Sequence, residues 1–446
     1  MPHENDGCSE RLLLGWPLGR RTDIHDDDVL HSMNIQVEQP CPQCGGSVTL
    51  SASDHLLTCP YCGVKNFLQT SGAFRYALPD RVTARKRGRI IYVPYLRFKG
   101  NIFSVTESGI SYKVLDTTQD GCPIPGLPPS LGLRPQAMKL VRLHRKIQGR
   151  FLPLSVNIQK VLEKAARLQT VFRKGDDELF HRAYIGETLS YIYLPLLPRE
   201  DGLYDAVLGE PLDGVDESSI PAQKRTPFKS NWRMNFLATL CPRCGWSLEG
   251  EGDCLVLTCG NCDTAWEIGK NGLKRVTCTV VPGGSNTALY LPFWKIGASL
   301  PTVKIQSFAD FIRRTNQPLV PRKEWERQSM HFWIPAFKLR PKNFLRTGKQ
   351  TTISQWRLMG EQEMQVVPAM YPVTLPLSEA KQSLKLILSA SATNKRNVFP
   401  YLPGVRPGNV IATLVFLPFI DRHHDWVQQQ TGTVIAKSVL HFGRSL

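Results

Sequence analysis

The sequence predicts a β-rich α+β chain, built twice from one unit, and three observations carry that expectation. A four-cysteine pattern recurs about two hundred residues apart in a chain of 446. Strands rich in aromatic residues and proline follow each copy. Finally, 34 glycines and 33 prolines favour turns and strand ends over long helices.

The cysteines come first. Cys41, Cys44, Cys59 and Cys62 read C-x2-C-x14-C-x2-C, and Cys241, Cys244, Cys259 and Cys262 repeat that spacing. Each Cys-x-x-Cys is a tight turn that brings two sulfurs within reach of one ion, and the fourteen residues between form a hairpin returning the second turn to the first. Glycine after Cys44, Cys62 and Cys244 permits the positive φ that such a turn needs. Four thiolates match Zn²⁺, so two structural Zn²⁺ ions are expected, each in a zinc ribbon. Iron in rubredoxin-type sites uses similar knuckles and is the alternative. A complete sulfur shell leaves no open position for water, so this metal holds structure and does no chemistry. His55 and Cys254, inside the hairpins, are not expected to be ligands. Paired thiols without an export signal place the protein in a reducing cytoplasm.

The repeat extends beyond the metal. "IYVPYLRFKG" (91–100) follows the first ribbon and "LYLPFWKIGA" (289–298) the second, aligning Tyr92 with Tyr290, Pro94 with Pro292 and Arg97 with Lys295. "FLPLSVNIQKVLEKAARLQ" (151–169) set against "WIPAFKLRPKNFLRTGKQT" (333–351) places Pro153 opposite Pro335, and "YIYLPLLP" (191–198) matches "LVFLPFID" (414–421). A unit of roughly two hundred residues therefore occurs twice. Alternation predicts strands with Tyr290, Pro292, Trp294 and Ile296 on one face and Leu291, Phe293 and Lys295 on the other. Mid-strand proline predicts a sheet edge or bulge. The rings read as core, with a stacking platform for bases as the sharper alternative. Residues 157–172 read as a helix with Ile158, Val161, Leu162, Ala165 and Leu168 on one face, and a second helix begins near Ser307 with Phe308, Phe311 and Ile312 inward. The expected organisation is an acidic segment 1–36, ribbon 37–68, β-rich α+β domain 69–210, linker 211–236, ribbon 237–270 and a second β-rich domain 271–446.

On these residues the chain resembles bacterial zinc-ribbon proteins with aromatic-Pro-aromatic strands, often labelled as carrying a general-transcription-factor-B-type ribbon. "CPQCGG…CPYCG" with "YVPYLRF", and "CPRCGW…CGNC" with "YLPFWKI", carry the resemblance. It covers about a third of the chain and implies a metal-clamped ribbon without assigning a role. Many relatives carry membrane segments; this sequence departs from them, with no apolar run long enough to span.

Charge is uneven. The net charge is +17; residues 81–174 hold 19 Lys/Arg against 4 Asp/Glu, residues 175–219 hold 2 against 11, and residues 301–360 hold 12 against 3. Either the basic stretches, including "RKRGR" (85–89), meet nucleic acid, or the acidic segment 175–219 lies on a basic one in the same molecule. No phosphate loop, HExxH or GxSxG is present, and "TGKQT" (347–351) lacks the upstream glycine of a phosphate loop. "DRHHD" (421–425) reads as a solvated loop rather than a metal site. The expected function is a non-catalytic scaffold or adaptor in a larger protein assembly, with nucleic-acid binding through 81–174 and 301–360 as the alternative.

Overall fold

The computed structural model describes residues 35–444, apart from 145–146, 158–160, 162, 164–176, 216, 221–225, 228–231, 270–271, 284–286 and 368. It is β-rich, 41% strand against 20% helix.

The same pairing order occurs in both halves. In the first, Ile91–Thr106 pairs antiparallel with Leu179–Arg199, which runs parallel to Phe74–Ala77, which in turn pairs antiparallel with Leu140–Arg142. In the second, Leu289–Ser299, Gly408–Arg422, Cys278–Val280 and Gln362–Glu363 take those four places. The other edge of the first central strand meets Gly109–Asp120, and that of the second meets His331–Pro335. Pro94 lies opposite Tyr193 and Pro292 opposite Phe416, which is the register that the aligned motifs predict.

Three expectations change. The prolines do not sit at sheet edges: both lie in central strands. Pro94 O accepts from Gly121 N at 2.8 Å and Pro292 O from Ala336 N at 3.0 Å, just past the last paired residues Asp120 and Pro335. In an antiparallel strand a residue's N and O face the same neighbour, so each missing N–H falls where that neighbour's ladder has ended. Pro153 is not the counterpart of Pro335. Leu152 N donates to Tyr92 O at 3.0 Å, and Tyr371 N donates to Tyr290 O at 2.9 Å, so Phe151–Pro153 corresponds to Met370–Pro372. Finally, the alternation in 290–296 does not divide core from solvent, because Leu291, Phe293, Trp294 and Ile296 are all buried.

The helix at Phe308–Arg314 opens on a capping box, Ser307 Oγ accepting from Asp310 N while the Asp310 carboxylate accepts from Ser307 N. Phe308, Phe311 and Ile312 are buried as expected. The helix read over 157–172 lies mostly outside the described residues; Val161, which is described, is helical and buried. "TGKQT" lies in the helix Pro341–Ile353, not in a loop.

The halves share one core. Phe103, Val105, Ala183 and Ile185, from the far ends of the first half's long strands, belong to the same apolar cluster as Trp294, Phe344 and Ile387 of the second. Main-chain pairing also crosses the boundaries expected at 68/69 and 236/237. Gln36–Pro40 joins the large sheet by running parallel to Leu140–Arg142, and Lys65–Thr70 pairs with Met234–Ala238. The described residues accordingly form one compact unit.

Candidate metal centres

Each sulfur is placed by the same turn. Gly45 N donates to Cys41 O at 2.9 Å, Gly63 N to Cys59 O at 2.9 Å, Gly245 N to Cys241 O at 2.8 Å and Asp263 N to Cys259 O at 3.0 Å. The donors have φ of 74°, 70°, 75° and 51°, so three of the four are the glycines singled out in the sequence. Asp263 was legible only by alignment with them; a short acid tolerates this conformation better than most side chains. Around Gly245 nothing lies within 4 Å of an added Cβ, so only conformation resists substitution there. Gly245→Ala should lower stability by about 1–2 kcal/mol in urea unfolding, without altering the slope.

The turns bring the four sulfurs of each set within 4.8 Å of one another. Cys41 and Cys62 Sγ are 3.8 Å apart, Cys44 and Cys59 3.6 Å, Cys241 and Cys262 3.6 Å, and Cys244 and Cys259 3.4 Å. A tetrahedron with metal–sulfur bonds of ~2.3 Å has edges of ~3.8 Å, so both sets fit one tetrahedral ion each. Burial opposes ionisation of Cys59, but the N–H groups of Cys62 and Tyr61 draw its thiol down to about 7. Burial also opposes ionisation of Cys241, and the N–H groups of Arg243 and Cys244 with the Thr264 hydroxyl bring it to about 6. Cys62, although the Val64 N–H draws it down, and Cys259 are pushed up to about 12 by burial first and by the adjoining sulfurs after it.

The side chains that hydrogen-bond the sulfurs differ between the sites, and sequence reading missed them. Thr264 Oγ1 lies 3.1 Å from Cys262 Sγ and accepts from Trp266 Nε1 at 2.9 Å, which leaves the hydroxyl hydrogen for the thiolate. Asn261 adds a side-chain hydrogen bond to Cys244. The first set has Val64 and Tyr61 at these places.

His55 stacks on Phe67 at 5.6 Å and burial pulls it down to about 4; it is no ligand. Cys254 is buried and likewise outside the sulfur sets. Asp421, His423, His424 and Asp425 form the turn of a hairpin and no metal group among the described residues, with Asp421 paired to Lys437 at 2.6 Å. Arg85, Lys86, Arg87 and Arg89 are exposed on a 3-10 turn, and none makes an ion pair among the described residues. Asp205 of the acidic segment does pair with the basic stretch 81–174, but through Arg134, at 2.6 Å. No described helix is long and apolar enough to cross a membrane. No family model, curated protein or solved structure matches the chain.

Proposed function

We propose that this chain is a non-catalytic zinc protein of the cytoplasm, a scaffold or adaptor that docks on a protein partner through its two ribbons. One observation carries the reading: each sulfur site displays a large exposed aromatic, Tyr61 at 71% and Trp246 at 60% exposure. A ring on a metal-clamped turn is already ordered, so little entropy is lost on binding, and Trp and Tyr are the usual anchors of interfaces. Tyr61 covers Gly46, where a Cβ would meet its Cδ2 at 2.6 Å. The resemblance to bacterial zinc-ribbon proteins supports zinc over iron, as does the closed sulfur shell with its main-chain donors. Elemental analysis should find two zinc ions per chain. Limiting chelator should draw the first ion from the Cys44 site, because the other has the additional donors of Thr264 and Asn261. One ion per chain, or iron, overturns the assignment.

Replacing Tyr61 and Trp246 together with alanine should leave folding unchanged and reduce partner recovery after in-cell crosslinking by at least tenfold, since two anchors exceed the 1.4 kcal/mol that tenfold represents. Unchanged recovery overturns the docking reading. The unpaired run at 85–89 favours a second reading, a polyanionic partner. Four phosphate contacts would give a log–log salt slope of about −3.6, a loss of about a hundredfold between 50 and 200 mM salt. A slope near zero on duplex DNA and RNA removes this reading.

A further inference from the structure

The second basic stretch, 301–360, contributes to a pocket that neither sulfur site uses. Lys304, Asp310, Arg313, Arg314 and Asn397 line a cavity of about 280 Å³, near the lower end for small-molecule sites, roughly 300 Å³. Three walls frame it: the helix Phe308–Arg314, the 3-10 turn Pro301–Val303 that ends on Lys304, and the 3-10 turn Lys395–Asn397, which leads into Phe399–Gly404. These walls are tied to one another. Thr393 N donates to Thr315 O at 3.0 Å and the Thr393 hydroxyl to Asn316 O at 2.6 Å, so the chain entering the third wall is fixed to the end of the helix. Thr302 Oγ1 donates to Gly404 O at 3.1 Å, joining the second wall to the third. The Arg314 guanidinium lies 4.8 Å over the Tyr401 ring, a further tie from the helix. The pocket is therefore shaped before a ligand arrives, which keeps the ordering cost of binding low.

The charges of the lining are unevenly committed. Asp310, its one acid, accepts from Ser307 N at 3.0 Å and Gln306 N at 3.1 Å, and lies 3.6 Å from Arg313. Arg313 also pairs with Glu326. Lys304 and Arg314, by contrast, have no ion pair and no side-chain hydrogen bond among the described residues. Stacking occupies one face of Arg314, and its Nε is enclosed without a partner; the half-buried side chain leaves Nη1 and Nη2 as its open donors. Lys304 takes φ 55°, a left-handed conformation easier for glycine, so this exposed cation is present despite its backbone cost. The Asn397 amide supplies neutral donors from the third wall.

We propose that this pocket binds a small phosphoryl anion, with Arg314 and Lys304 supplying charge from two walls and Asn397 a neutral donor from the third. A phosphoryl group turns its oxygens in several directions, which suits donors on separate walls. A carboxylate has two coplanar oxygens that one guanidinium edge satisfies. Arg313, already shared between Asp310 and Glu326, adds to the positive field rather than to the hydrogen bonds.

The test is calorimetric titration of the metal-loaded full chain with inorganic phosphate, and separately with acetate, at constant ionic strength held with chloride. Saturable binding of phosphate is expected, with acetate at least tenfold weaker. Either Lys304→Gly or Arg314→Met should weaken phosphate binding at least tenfold, because a hydrogen bond to a charged group is worth about that factor or more. Lys304→Gly removes the cation at a position whose φ favours glycine, so it keeps a folded protein for the reading even if Arg314→Met, which also gives up the Tyr401 stack, does not fold. Lys274→Met removes an exposed charge from the strand Gly272–Val276, outside the lining, and should bind as the wild type does. Absence of saturable binding by the wild type, acetate binding as tight as phosphate, an equal loss in Lys274→Met, or unchanged binding by either folded pocket variant overturns the proposal.

Discussion

Replacing Cys59 with serine is expected to prevent the whole chain from folding, not merely to release one four-cysteine module. Structural zinc is worth roughly 10–16 kcal/mol in finger peptides, whereas a whole domain is stable by only about 5–15 kcal/mol. Were the module independent, that loss would stay within residues 37–68. The structure argues otherwise: Cys41 and Cys59 belong to one apolar cluster with Tyr76, Tyr95, Ile192 and Leu194 of the large sheet. The strand Gln36–Pro40 that leads into Cys41 is itself paired to Leu140–Arg142. Hydrogen exchange on a partly chelated sample should therefore show protection lost across Phe74–Ala77 and Leu140–Arg142 together with the hairpins. Protection retained in those strands would mean that module and sheet are separate folding units.

Phe103→Ala should cost about 3–5 kcal/mol, and the loss should register in the second half of the chain. Phe103 is 0% exposed, and its ring lies 6.1 Å from Phe344 on the helix Pro341–Ile353. It belongs to the first half by sequence and to the second by packing, so truncation leaves a cavity under that helix. Chemical unfolding should remain a single transition shifted to lower denaturant, with amides of Pro341–Ile353 and Leu377–Ser391 losing protection. Two separated transitions, with the second half unaffected, would show that the halves unfold independently.

The sulfur sites were the most legible part of this protein. A Cys-x-x-Cys turn is local: five residues, one positive φ and one return hydrogen bond determine it, and the spacing alone named all eight cysteines of the two sulfur sets. The aligned strands were legible for a related reason. Pro94 and Pro292 mark the same register because each must avoid a ladder donor, and a restriction on one residue survives wherever the chain is placed.

What only the tertiary structure decided are the partners in space. The alignment of Pro153 with Pro335 failed because both lie in Pro-containing apolar segments that pack beside the central strand, one on a parallel partner and the other on an antiparallel one, a difference that composition does not encode. The sharing of one core by Phe103 and Phe344 depends on how far the first half's strands project, which hydrophobic pattern alone does not state. The burial of Arg142 near Asp54 depends on two segments far apart in the chain. Sequence determined the local turns, because their energies are local; it left open the contacts between distant surfaces, because many sequences of the same pattern could satisfy them.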